Sequence, residues 1–144
     1  MALKLIVNTD GGARGNPGPA GVGVVITSEN GQVLKTISQG IGVATNNEAE
    51  YKAVILALET LKNMYGSKVH NYDIELRLDS ELVQKQLTRE YKVKEERLKV
   101  FFTQIVTLQL KDVPKVHFVH IPRTQNKIAD RLANEAMDAQ CYLI

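Results

Sequence analysis

The spacing of the apolar residues changes along this chain, and that change restricts its possible folds more than any other feature. Between Tyr72 and Leu78 the apolar Tyr72, Ile74, Leu76 and Leu78 alternate with Asp73, Glu75 and Arg77. That is the period-two pattern of a strand with one buried face. Between Thr45 and Gly66 the apolar Ala53, Val54, Ala57, Leu58 and Leu61 recur at helical spacing instead. Thr45 with Glu48 three residues on predicts a capping box at the start of that helix, and Gly66 predicts its end.

The same reading extends to the rest of the chain. Leu3–Thr9, Val22–Thr27 and Gln32–Gln39 read as strands, the last two joined across Glu29-Asn30-Gly31, a hairpin signal. Gly11–Pro19 reads as a turn-rich loop, and a short helix is expected over Ser80–Leu87. Lys94–Leu110 is a second long amphipathic helix, with Leu98, Phe101, Phe102, Ile105 and Leu108 on one stripe. Lys115–Ile121 is a fifth strand. Thr124 is expected to cap a last helix whose stripe is Ala129, Leu132, Ala133, Ala136 and Met137. The order βββαβααβα predicts an α/β fold, a five-stranded mixed sheet flanked by helices. With 144 residues, 44% of them apolar, the expected organisation is one domain over residues 1–140 and a C-terminal tail over 141–144. That apolar tail could pack on the domain, mediate a dimer or fray.

Asp10 falls at the end of the first strand and Asp79 at the end of the fourth, where ligands of such sheets gather. If those strands are parallel neighbours, the two carboxylates sit side by side. Each also suits a turn or a helix cap. Glu48 and Glu50 are separated by helix phase. Steps of three, four, seven, eight and eleven from Glu50 reach the buried stripe, whereas Glu48 shares a mixed face with Tyr51, Lys52, Ile55 and Glu59. Glu48 therefore suits the cap. Glu50 is a carboxylate pushed toward the sheet, where it needs a partner such as a metal ion. Asp130, flanking the stripe of the last helix, could close the same site. Four converging carboxylates are what a hard cation requires.

Four blocks carry a resemblance: Asp10 through Pro19 (DGGARGNPGP), Thr45 through Glu50 (TNNEAE), Asp79 through Leu82 (DSEL) and Gln125 through Asp130 (QNKIAD). In this order and spacing the chain resembles type 1 ribonuclease H over nearly its whole length. The resemblance implies hydrolysis of the RNA strand of RNA–DNA hybrids, leaving 3′-hydroxyl and 5′-phosphate ends. It implies a catalytic set of Asp10, Glu50, Asp79 and Asp130 holding two Mg²⁺ ions, with Mn²⁺ a possible substitute. It also implies that Asn16, Asn46, Asn47 and Glu81 contact 2′-hydroxyls in the minor groove, and that Thr45 grips a phosphate of the DNA strand. A helix-start capping role is the alternative for the asparagines.

Two departures from the family pattern stand out. Many members carry a basic, tryptophan-containing protrusion after the helix that follows the third acid. Here Arg89–Lys94 leads almost directly into the next helix, and the chain has no Trp. Grip must be weaker or come from Lys92, Lys94, Arg97 and Lys99, whose alternative role is a solvated helix face. Larger relatives also place a mobile histidine in a long loop before the last helix. His120 precedes a short loop here, and alternation places it with Val116 and Phe118, which suits a structural residue as well as a catalytic one.

Integrase- or resolvase-like relatives share the acids but not the Asn-Pro-Gly-Pro turn and the paired asparagines. A non-catalytic hybrid-binding module would be expected to lack one of the acids. The net charge of +2 leaves any contact with nucleic acid to a local patch. A lone cysteine, Cys141, excludes an internal disulfide and a multi-thiolate zinc site. The apolar run Leu3–Val7 is too short for a signal peptide or a membrane span. The expectation is a cytoplasmic protein with no membrane association and no obligate protein partner.

Overall fold

The computed structural model describes residues 3–143. Strands β1 (Leu3–Ala13), β2 (Gly18–Ser28), β3 (Val33–Ala44), β4 (Tyr72–Leu78) and β5 (Val116–His120) form one sheet in the order β3-β2-β1-β4-β5. The first three are antiparallel hairpin neighbours, whereas β4 and β5 run parallel to β1. Parallel neighbours need crossovers, and the helices supply them: α1 (Asn46–Tyr65), α2 (Glu81–Leu87) and α3 (Glu96–Lys111), with α4 (Lys127–Leu143) closing the chain. This is the five-stranded mixed sheet with order βββαβααβα that the periodicity predicts.

The main core lies between one face of the sheet and α1 with α3. Leu5, Val7, Val24, Ile26, Ile74 and Leu76 meet Val54, Leu58, Leu61 and Ile105 there. The opposite face is covered by α4 at very short range. A Cβ on Gly21 would stand 2.6 Å from the Ala136 Cβ, and one on Gly23 would stand 2.2 Å from the Ala129 carbonyl oxygen. Ala129, Ala133, Ala136 and Met137, all buried, thus pack on bare strand backbone. That approach brings the N-terminal turn of α4 to the carboxyl end of β1.

Several boundaries differ from expectation. β1 does not stop before Asp10, because Gly11, Gly12 and Ala13 continue the ladder opposite Val22, Gly21 and Ala20. The turn is confined to residues 14–17, with Gly15 at φ +92°. β3 starts at Val33 and runs past Gln39 to Ala44, through an irregularity opposite Pro19 and Gly21 where Gly42 has φ +78°. Glycines that read as turn signals are here strand residues that permit close helix packing or a bulge. The third helix starts at Glu96 rather than Lys94. Thr124 does not cap α4. It lies in a 3₁₀ turn, Arg123–Gln125, and the helix begins after Asn126, whose carbonyl accepts the Asp130 N–H at 3.0 Å. Cys141, Tyr142 and Leu143 continue α4 as an exposed last turn, while Ile144 lies outside the described residues.

Candidate active site

The parallel register of β1 and β4 pairs Val7 with Leu76 and Asn8 with Arg77. Carried two residues further, it sets Asp10 level with Asp79, just past the end of β4. The conditional expectation of parallel neighbours is therefore met. Glu50 arrives from α1, whose start is held by the expected capping box. Glu48 N–H donates to Thr45 Oγ1 at 3.1 Å, and Thr45 N–H donates to Glu48 Oε1 at 2.9 Å. That second bond chiefly holds the Glu48 carboxyl below its ordinary pKa. Glu48 is used at the cap, and Glu50 is buried against the sheet.

Gly11 makes the approach of α1 possible. A Cβ there would stand 2.3 Å from the Ala49 carbonyl oxygen, so any larger residue would push α1 away. In the observed packing Gly11 N–H donates to Glu50 Oε1 at 3.0 Å. The other oxygen, Oε2, is buried and has no hydrogen-bond partner among the described residues, as is true of Thr9 Oγ1. Three carboxylate oxygens, one each from Asp10, Glu50 and Asp79, lie within 4.8 Å of one another. Asp130 lies outside that set of three but lines the same cleft of about 390 Å³, beside Arg123 and Asn134.

These acids oppose one another. Burial pushes the Asp10 carboxyl from 3.8 up to about 7; the adjacent Glu50 carboxyl opposes the rise, and the charges of Asp79 and Asp130 add to it. Burial also raises Glu50 well above its ordinary value, helped by the adjacent Asp10 and opposed by the Gly11 N–H. Burial and like charge both disfavour the anions, so this corner of the fold calls for protons or a cation. The donor set of carboxylate oxygens, one of them buried and unpartnered, fits a hard divalent cation.

The remaining expected residues divide. Asn16 Oδ1 accepts the Asn46 N–H at 3.0 Å, and Asn46 Oδ1 accepts the Ala13 N–H at 2.9 Å. Both asparagines thus tie the 14–17 turn to the start of α1, and their amide nitrogens make no bond within the described residues. Asn46 and Asn47 line the acidic cleft; Asn47 also lines a neighbouring groove of about 490 Å³ with Leu82, Tyr91, Lys92 and Lys94. Lys92 and Lys94 form no ion pair among the described residues, whereas Arg97 lies 3.9 Å from Glu48 and Lys99 lies 2.9 Å from Glu96. Glu81 is exposed at the start of α2, 3.9 Å from Lys85.

Paired opposite Leu78, His120 keeps the phase of Val116 and Phe118, but unlike them it is not covered. It is exposed and outside the acidic cleft, because the last residue of an edge strand lies past the apolar cover. Two residues that sequence reasoning passed over complete the site. Asn126 is buried and donates to Asp79 Oδ2 at 3.0 Å and to the Thr9 carbonyl at 2.9 Å. Asn8 donates to Asn126 Oδ1 at 3.0 Å. Asn126 stood inside the QNKIAD block, but nothing in the sequence connects Asn8 to it.

Known proteins are similar to this chain in sequence and fold. A family model described as reverse transcriptase-like matches residues 8–136. Ribonuclease HI of Halobacterium salinarum is 44% identical over 132 residues, covering 90% of this chain and 62% of that protein. The crystal structure of LC11-RNase H1 in complex with RNA/DNA hybrid superposes with a TM-score of 0.90 at 52% identity, covering 94% of this chain and 97% of that one. The chain belongs to the type 1 ribonuclease H family. Another member, the bifunctional protein Rv2228c of Mycobacterium tuberculosis, is 39% identical over 138 residues, covering 95% of this chain. The chain spans only 36% of that protein's length. As a ribonuclease H fold, the protein sets Asp10 on β1 level with Asp79 just past the end of β4, with α1 and α4 reaching over them. Among the described residues no helix is long and apolar enough to cross a membrane.

Proposed function

We propose that this protein is an endoribonuclease that hydrolyses the RNA strand of RNA–DNA hybrids, with Asp10, Glu50, Asp79 and Asp130 holding two Mg²⁺ ions, or Mn²⁺ in their place. The observation that carries this reading is the approach of the Asp10, Glu50 and Asp79 oxygens within 4.8 Å from three separate elements. Divalent cations there would activate a water and stabilise the leaving oxygen. The residues of the chain do the rest. The Gly11 N–H and the Asn126 amide orient Glu50 and Asp79, while the glycine contacts of α4 bring Asp130 to the same cleft. Water oxygen forms the new bond to phosphorus and the bond from phosphorus to O3′ breaks. The products are a 3′-hydroxyl and a 5′-phosphate.

Selection for RNA requires reading the 2′-hydroxyl, the group that separates RNA from DNA at a given nucleotide. Asn16 and Asn46 suit that task, because their oxygens are engaged within the fold and their amide nitrogens can donate. Asn47 and Glu81 are assigned to the same task, and Thr45 to a phosphate of the DNA strand. A cytoplasmic location and catalysis by residues 1–140 without an obligate protein partner complete the proposal.

The test is cleavage of labelled RNA–DNA, RNA–RNA and DNA–DNA duplexes in Mg²⁺ and in chelator. Only the hybrid is cut, only with metal, and Asp10→Asn abolishes cutting while retaining most hybrid binding. Cutting of the DNA duplex at a comparable rate, or full activity in Asp10→Asn, refutes the reading.

A further inference from the structure

Asn126 is buried and hydrogen-bonds one of the carboxylates of the acidic cleft, and its geometry has a definite polarity. Its amide nitrogen carries two hydrogens and has two partners, the Thr9 carbonyl at 2.9 Å and Asp79 Oδ2 at 3.0 Å. A carbonyl and an ionised carboxylate only accept, so the nitrogen of Asn126 must face them. Its oxygen then faces Asn8, which must present its own nitrogen, as it does at 3.0 Å. Every hydrogen-bonding group of the Asn126 carboxamide is thus engaged in one orientation. The backbone of the same residue starts α4, its carbonyl accepting the Asp130 N–H at 3.0 Å. One buried residue therefore joins the strand segment next to Asp10, the carboxylate of Asp79 and the turn that carries Asp130.

We propose that Asn126, locked in this orientation by Asn8, is a positioning residue for the metal-binding carboxylates. By taking up Asp79 Oδ2 it leaves Oδ1 as the oxygen without a donor among the described residues, and so settles which oxygen is offered to a cation. Outer partners of this kind commonly change metal affinity or activity about 10–100-fold when removed. The assignment rests on the proposed function, and it names Asn8 as a residue that acts only through Asn126.

The experiment measures Mg²⁺ affinity by calorimetry without substrate, together with kcat and KM for hybrid cleavage. The parent protein is compared with Asn126→Ala, Asn8→Ala, Asn8→Asp and the Asn8→Ala/Asn126→Ala double variant. Asn126→Ala weakens Mg²⁺ binding and lowers kcat by about tenfold or more, with KM changed little. Asn8→Ala moves both in the same direction by less, and adds nothing in the Asn126→Ala background. Asn8→Asp is worse than Asn8→Ala in kcat despite its equal size to Asn, because an anion facing Asn126 Oδ1 drives the amide to turn that oxygen toward Asp79. Asn8 is half-buried, so its variants decide the matter if Asn126→Ala does not fold. A role confined to packing predicts the reverse order, with isosteric Asp better tolerated than Ala. That order, additive effects in the double variant, or parent-like Mg²⁺ affinity in folded Asn126→Ala overturns the assignment. A parent protein that neither binds Mg²⁺ nor cuts hybrid overturns the proposed function as well, which distinguishes the two failures.

Discussion

Replacing Asp10 by Asn stabilises the metal-free protein. The Asp10 carboxyl titrates at about 7 in the folded protein, against 3.8 ordinarily, chiefly because it is buried. At 1.36 kcal/mol per pH unit, that gap opposes folding by roughly 4 kcal/mol once the group is ionised in both states. The folded pKa is raised, so the folded state binds protons more readily than the unfolded chain. The cost is therefore full above about pH 7, falls to roughly 2 kcal/mol at pH 5, and vanishes below the ordinary value. A neutral, isosteric Asn side chain removes it at every pH.

Roughly 4 kcal/mol is an upper bound, because Glu50 shares the proton and relaxes with its neighbour. At about 2–4 °C per kcal/mol for a domain near this size, the rise in melting midpoint at pH 8 in chelator is several degrees, with ~15 °C as the ceiling. Mg²⁺ acts on the same strain by binding the folded state, adding about 2.7 kcal/mol to the parent at one hundred times its dissociation constant. The assay is thermal melting of parent and Asp10→Asn at pH 5, 7 and 8, in chelator and in millimolar Mg²⁺. The advantage of the Asp10→Asn variant over the parent should shrink toward pH 5, and Mg²⁺ should raise the parent more than the variant. A variant that melts below the parent in chelator at pH 8, or an advantage that grows toward pH 5, refutes the reasoning.

Glu50→Gln should lower hybrid cleavage by orders of magnitude, whereas Glu48→Gln keeps most activity because Gln still completes the capping box with Thr45; steady-state rates at saturating Mg²⁺ decide between them. Gly23→Ala should destabilise the fold by about 2 kcal/mol or more and depress kcat, since its Cβ would lie 2.2 Å from the Ala129 carbonyl and lift the turn bearing Asp130; urea denaturation and kinetics measure both. Removing the charges of Lys92 and Lys94 together should flatten the salt dependence of hybrid affinity by roughly 0.7–0.9 log units per log unit of salt for each phosphate no longer neutralised. An unchanged slope in a binding titration would assign both lysines to solvent.

Period and chemistry were legible locally. The alternation of Tyr72–Leu78 and the helical spacing after Thr45 each depend on one element having one buried face, and both elements form where they were expected. The separation of Glu48 from Glu50 was legible for the same reason: two residues two positions apart on a helix cannot share a face. What escaped the sequence are features that a partner element decides. The close packing of α4 on Gly21 and Gly23 has no signal in the sequence, and Gly11 to Ala13 look like a loop until β2 pairs with them. His120 continues the alternation of its strand but is exposed where Val116 and Phe118 are buried. Thr124 is a fair cap by type, but the 3₁₀ turn at Arg123–Gln125 leaves Asn126, not Thr124, at the start of α4. The hydrogen bond between Asn8 and Asn126 spans 118 positions of sequence. The sequence by itself determined the elements and the sheet class, because those follow from short-range periodicity, and it offered the acids as candidates through their residue chemistry and the family resemblance. Only the tertiary structure decided how closely the acids approach, which glycines permit it and which amide orients Asp79. Each of those depends on two elements far apart in the chain meeting at less than the width of a side chain.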